Sequence, residues 1–130
     1  MEFHITEHGM RSNFEYGELN VSGNEEHGFR PFQLMVASIV GCSGSVFRRI
    51  LQKQQIPISD LKIAAEVDRN EDEANRIEAI RLHYTVSGKR LDPDKLYKSL
   101  EIARKNCPIV RSVEDSIKIT ETIQTIEISD

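Results

Sequence analysis

Apolar and polar positions alternate in short bursts over residues 1–22, as Phe3/Ile5, Phe14/Tyr16 and Leu19/Val21, with Gly9, Gly17 and Gly23 between them. Period-two runs bounded by glycine predict a small antiparallel meander, followed by a polar loop, "GNEEHGFR", over residues 23–30. The pattern then changes. Pro31 suits the first position of a helix, where its missing N–H would be unpaired in any case. From Phe32 to about Gln55 only Gly41 and Gly44 oppose a helix. Residues 34–40, "LMVASIV", are apolar on all sides, so this half must be enclosed on every face. A helix of roughly 24 residues runs about 36 Å, more than a small domain readily surrounds, which points to a partner subunit.

Pro57 closes that helix. Leu61, Ile63, Ala65 and Val67 alternate, as do Ile80, Leu82, Tyr84 and Val86, around the charged stretch "DRNEDEANR". This predicts a long β-hairpin whose tip, Glu71-Asp72-Glu73, is solvated. Asp92 as N-cap, Pro93 at the first position and Asp94 near the positive dipole end predict the next helix, with Leu96, Leu100 and Ala103 on its apolar face. Asn106-Cys107-Pro108 interrupts it. A short helix at Ile109, Val110 and Val113 and a last strand at Ile117, Ile119 and Ile123 follow. The order is strands, long helix, two strands, helix pair, strand. It predicts an α+β fold with an antiparallel sheet. The chain reads as one domain over 1–130: N-terminal strands and loop over 1–30, the central helix over 31–55, and the remaining strands and helices over 59–130.

Composition narrows the function. A chain of 130 residues, 38% hydrophobic and 29% charged, is globular and can hold a core without disulfide or metal. A net charge of −4, with basic residues scattered apart from Arg48-Arg49, argues against nucleic-acid binding. No uninterrupted apolar run reaches membrane-spanning length, and the start of the chain lacks signal-peptide character, so no membrane association is expected and the cytoplasm is the default compartment.

In a reducing compartment the two cysteines, Cys42 and Cys107, are catalytic or buried rather than a permanent staple. They lack the CxxC and His spacing of a zinc site, and no bound cofactor is expected. Cys107 precedes Pro108 at a helix start, where free N–H groups and the dipole favour thiolate. Cys42 sits mid-helix among apolar residues, which raise a thiol pKa unless a cation or donor offsets them. Peroxide can oxidise one such thiol to a sulfenic acid, which a second thiol condenses to a disulfide. Core filler is the plainer reading of two apolar cysteines.

The stretch "RPFQLMVASIVGCSGSVFRRIL" resembles the signature of the OsmC/Ohr family, osmotically inducible protein C and the organic hydroperoxide resistance proteins. The matching positions are Pro31, Gln33, Leu34, Ala37, Gly41 and Cys42. "ARKNCPIV", with Cys107-Pro108, resembles the family's second signature, and "YTVSGKRLDPDKLYKSLEIA" its strand–turn–helix between the two. The resemblance runs from about residue 29 to residue 123. It implies an intertwined homodimer built on the long central helices, which would enclose residues 34–42. It also implies a thiol peroxidase for small apolar organic hydroperoxides, with Cys42 peroxidatic, Cys107 resolving and an external dithiol as reductant. The family's activating pair is an Arg held by a Glu in the first helical turn; here Phe32 and Gln33 stand in that turn. Arg11 and Arg30 are the candidate arginines, and Gln33 can orient a donor only as a neutral amide. The missing carboxylate leaves a second reading open, a non-catalytic dimer that binds a small apolar ligand.

The remaining candidates read as structural. His4 and His8 are four apart on a strand, too far to share one ion, and His27 and His83 have no ligand-spaced partner. Tyr84 and Tyr97 suit core packing. Arg49, seven residues after Cys42, can share its helix face.

Overall fold

A computed structural model describes residues 1–129. The chain divides into two compact units, Met1–Ala37 and the part from Ser38 on. In the first, β1 (His4–Ile5), β2 (Met10–Asn13) and β3 (Glu18–Val21) form the antiparallel meander that the alternation predicts. Two glycines are needed there because backbone comes very close. A Cβ on Gly9 would meet the Val21 carbonyl oxygen at 2.0 Å, and one on Gly28 the Asn20 carbonyl oxygen at 2.6 Å.

Helix α1 spans Pro31–Lys53, two residues shorter than expected at its C-terminal end. Gln55, at φ 57°, turns the chain into the left-handed region, and the Ile56 N–H bonds back to the Leu51 carbonyl. The second unit continues with β4 (Asp60–Asn70) and β5 (Arg76–Gly88), the predicted hairpin. Helices α2 (Pro93–Lys105) and α3 (Pro108–Val113) follow, then β6 (Lys118–Glu127). Asp92 caps α2 as its position predicts, accepting from the Asp94 N–H at 3.0 Å.

The expected antiparallel sheet needs correction. β6 pairs with β5 in parallel, so the second sheet, in the order β4-β5-β6, is mixed. The helix pair α2–α3 supplies the crossover that a parallel neighbour requires.

One face of α1, made by Ile39, Ser43, Val46, Phe47 and Leu51, is buried with Ile80, Leu82, Tyr84 and Val86 of β5 and Leu96, Leu100 and Ala103 of α2. The other face is not enclosed within one chain: Ser38, Gly41 and Ser45 are exposed, at the i, i+3, i+7 spacing of one helical face. By length and composition α1 is also long and apolar enough to cross a membrane, although one of its faces is buried in the fold.

Candidate functional site

The two thiols, distant in sequence, meet. α1 carries Cys42 into the second unit, and the α2–α3 junction brings Cys107 near it, so that each thiol perturbs the ionisation of the other. Both cysteines are free. Cys107 is the N-cap of α3 and fully buried, and Pro108 occupies the first helical position as predicted. Cys42 is only partly buried.

Their electrostatics differ in sign. Burial pushes the Cys107 thiol up, but the hydrogen bonds outweigh it: that of Cys42 first, then the Val110 N–H, the Ser43 hydroxyl and the Ile109 N–H. Its pKa lies below the ordinary thiol value. Burial raises Cys42, and so do the hydrogen bond to Cys107 and that sulfur's charge. The Ile109 N–H and the positive charge of Arg49 only partly offset them. The two shifts are opposite: the inner Cys107 thiol ionises more readily than an ordinary thiol, and the more accessible Cys42 thiol less readily.

A buried polar chain leads away from Cys107. The Ser43 Oγ lies 3.5 Å from the Cys107 Sγ, and the same hydroxyl is near enough to the Tyr84 phenol to lower its pKa. Tyr84 is fully buried, packs edge-to-face on Phe47 with ring centroids 5.5 Å apart, and donates its O–H to the Glu121 Oε2 at 2.6 Å. Burial first, then the Glu121 carboxylate, holds the phenol far above its ordinary value, so it stays protonated. The Glu121 Oε1 faces the Arg104 guanidinium at 3.6 Å, and only 8% of the Glu121 side chain is exposed. Ser43, Glu121 and Arg104 were not singled out from the sequence. One signal was available: Glu121 follows Ile119 and precedes Ile123 at period two, a carboxylate on an apolar face.

Arg11, Arg30 and Gln33 belong to the first unit. Arg11 pairs there with Glu18 at 3.7 Å, Arg30 with Glu25 at 3.3 Å while lying over the Phe32 ring, and Gln33 is exposed. Within the second unit the guanidinium that acts on Cys42 is Arg49. It also lines a groove of about 510 Å³ with Val46, Ile50, Lys53 and Ile102.

The histidines have other partners. His83 contacts Glu66 at 2.9 Å and Thr122 at 2.7 Å, and His8 stacks on His27 at 3.8 Å. Tyr97 is 41% exposed and donates to the Ile123 carbonyl. Among the described residues no three His, Cys, Asp or Glu side chains converge as a metal site.

The OsmC-like protein family matches residues 23–122, which include both thiols and the polar chain behind them. The chain belongs to the OsmC-like family. Among curated relatives it is 24% identical to Protein YhfA of Escherichia coli K12 over 97 residues, 74% of this chain and 72% of that one. It is 25% identical over 116 residues to the organic hydroperoxide resistance protein OhrB of Bacillus subtilis 168, covering 89% of this chain and 85% of that one. The same fold occurs in a solved structure from Aquifex aeolicus VF5, with a TM-score of 0.86, 22% identity and coverage of 98% and 96%. This OsmC-like chain thus pairs a family fold with a two-thiol site whose protons are unequally held.

Proposed function

We propose that this OsmC-like protein is a homodimeric thiol peroxidase that reduces small apolar organic hydroperoxides. The observation that carries the reading is the closeness of Cys42 and Cys107, whose thiols perturb each other's ionisation. Ionisation is easier at Cys107 but access favours Cys42, and a proton passed between the two reconciles them. Transfer of that proton inward leaves Cys42 as the thiolate, the form that attacks.

The Cys42 thiolate attacks the outer peroxide oxygen and the O–O bond breaks. Cys42 becomes a sulfenic acid, and the departing alkoxide takes a proton to become the alcohol. Cys107 gives up that proton and attacks the Cys42 sulfur; the hydroxide that leaves takes up a proton to become water, and the disulfide forms. An external dithiol reduces that disulfide, being oxidised in its place. The groove beside Arg49 offers apolar side chains, Val46, Ile50 and Ile102, for the organic part of the substrate. The OhrB relative supports the same activity. The exposed Ser38/Gly41/Ser45 face of α1 is where the second subunit packs in this reading.

Mass spectrometry after one equivalent of an alkyl hydroperoxide tests it. The expected product lacks two protons and carries a Cys42–Cys107 link. Cys107→Ser should stop at a trappable sulfenic acid, and Cys42→Ser should not react. Free thiols unchanged by peroxide would reject the peroxidase and leave the ligand-binding dimer.

A further inference from the structure

The thiol pair alone does not explain why a serine, a tyrosine and a glutamate are arranged in line behind the inner sulfur. All three lie in the core of the second unit, and each contacts the next. Ser43 is 3% exposed and Tyr84 fully buried, and Glu121 is nearly so. Isolated polar groups at such depth are costly unless paired, and here the pairing runs one way, from Cys107 to Glu121.

We propose that Ser43, Tyr84 and Glu121 form a proton relay that takes the proton of Cys107 when it attacks the Cys42 sulfenic acid and returns it when the disulfide is reopened. The inference rests on the peroxidase reading above and assigns residues to its second step.

The hydroxyl chemistry allows one concerted shift. With Cys107 protonated, its S–H donates to the Ser43 Oγ, the Ser43 O–H to the Tyr84 Oη, and the Tyr84 O–H to the Glu121 carboxylate. Moving each proton one place breaks S–H, Oγ–H and Oη–H and forms Oγ–H, Oη–H and a carboxylic O–H. The result is a Cys107 thiolate that accepts from Ser43, and a neutral Glu121. Every group keeps a hydrogen-bond partner in both arrangements, and no net charge enters the core. Ser43 has a single hydrogen, which points to the phenol in one state and to the sulfur in the other. Hydroxide leaving Cys42 is protonated from solvent at that half-exposed sulfur, and Glu121 returns its proton to solvent at its exposed edge. The Arg104 guanidinium lies 3.6 Å from the Glu121 Oε1, at the outer end of the relay. Ser43 touches the reacting sulfur; Tyr84 and Glu121 act through it as positioning residues.

Tyr84→Phe is the decisive variant, because it keeps the ring packed on Phe47 and removes only the hydroxyl. Stopped-flow measurement should show sulfenic acid formation at Cys42 unchanged and disulfide closure slowed about 10²-fold, the lower end of the effect of a positioned proton transfer. The solvent deuterium isotope effect on closure, large in the parent chain, should collapse in the variant. A structural role alone would not produce that collapse. Glu121→Gln, which holds the hydrogen bond but cannot take the proton, should slow closure likewise. Closure at the parent rate in both variants overturns the relay. If the parent chain proves inert to hydroperoxide, the peroxidase reading fails separately. The disulfide is then made with diamide and reopened with dithiothreitol, and an unchanged reopening rate in Tyr84→Phe overturns the relay there too.

Discussion

Cys42 and Cys107 have opposite shifts, and this makes the pair's pH behaviour specific. Cys107, with its value lowered in the folded chain, contributes stability that is present above the unfolded thiol value and lost as pH falls through its folded value. Cys42, raised, contributes stability present below the unfolded value and lost as pH rises through its folded value. The joint contribution is greatest around the ordinary thiol value and declines on both sides. Denaturant midpoints measured across pH, compared with a Cys42→Ser/Cys107→Ser variant, should show that dome; a monotonic difference would contradict the assignment. Ser43→Ala removes a donor to Cys107 and should move the first thiolate absorbance step to higher pH. Arg49→Ala should move the second step to higher pH and slow the reaction of Cys42 by less than about tenfold, since an exposed charge is screened. The same titration with Arg11→Ala and Arg30→Ala shows which guanidinium serves Cys42 in the assembled protein.

Helix α1 meets the second sheet through an absent side chain. A Cβ on Gly44 would lie 3.0 Å from the Ile63 Cδ1 of β4, whereas one on Gly41 would meet nothing within 4 Å of its own chain. Gly44→Leu should therefore overpack this contact and cost about 1–3 kcal/mol. Ile63→Ala, destabilising alone, should recover part of that loss in the double variant, a coupling that a denaturation cycle reads directly. The helices, hairpin and caps were legible because their signals are local: Pro31 and Pro93 at first positions, Asp92 before Pro93, strict alternation over 80–86. The direction of β6 was not, because its alternation is identical in parallel and antiparallel pairing and only the α2–α3 crossover decides it. The meeting of the thiols came from the family resemblance. The contacts behind them span 64 residues from Ser43 to Cys107 and 37 from Tyr84 to Glu121, distances over which periodicity carries no information. The misplaced carboxylate at Glu121 was the one local trace of that network.

The proposed homodimer would account for the glycine cost in α1. Gly41 lowers helix stability by roughly 1 kcal/mol relative to alanine, yet among the described residues a Cβ there would meet nothing within 4 Å. Together with Ser38 and Ser45 it forms an exposed strip of small residues one helical turn from Cys42. Small residues let two helices approach closely, and in the homodimer α1 of each subunit would cover this strip in the other. Gly41→Ala and Gly41→Leu then differ in kind. Alanine should raise the stability of the isolated helix, and the Leu side chain should hold the two backbones apart. Sedimentation velocity should show a dimer for the parent chain and a monomer-shifted distribution for Gly41→Leu. Far-ultraviolet dichroism should stay unchanged, because a Cβ at this position meets nothing within 4 Å among the described residues. A Gly41→Leu chain that remains fully dimeric would place the subunit contact elsewhere. The apolar half of α1 would then need a different cover.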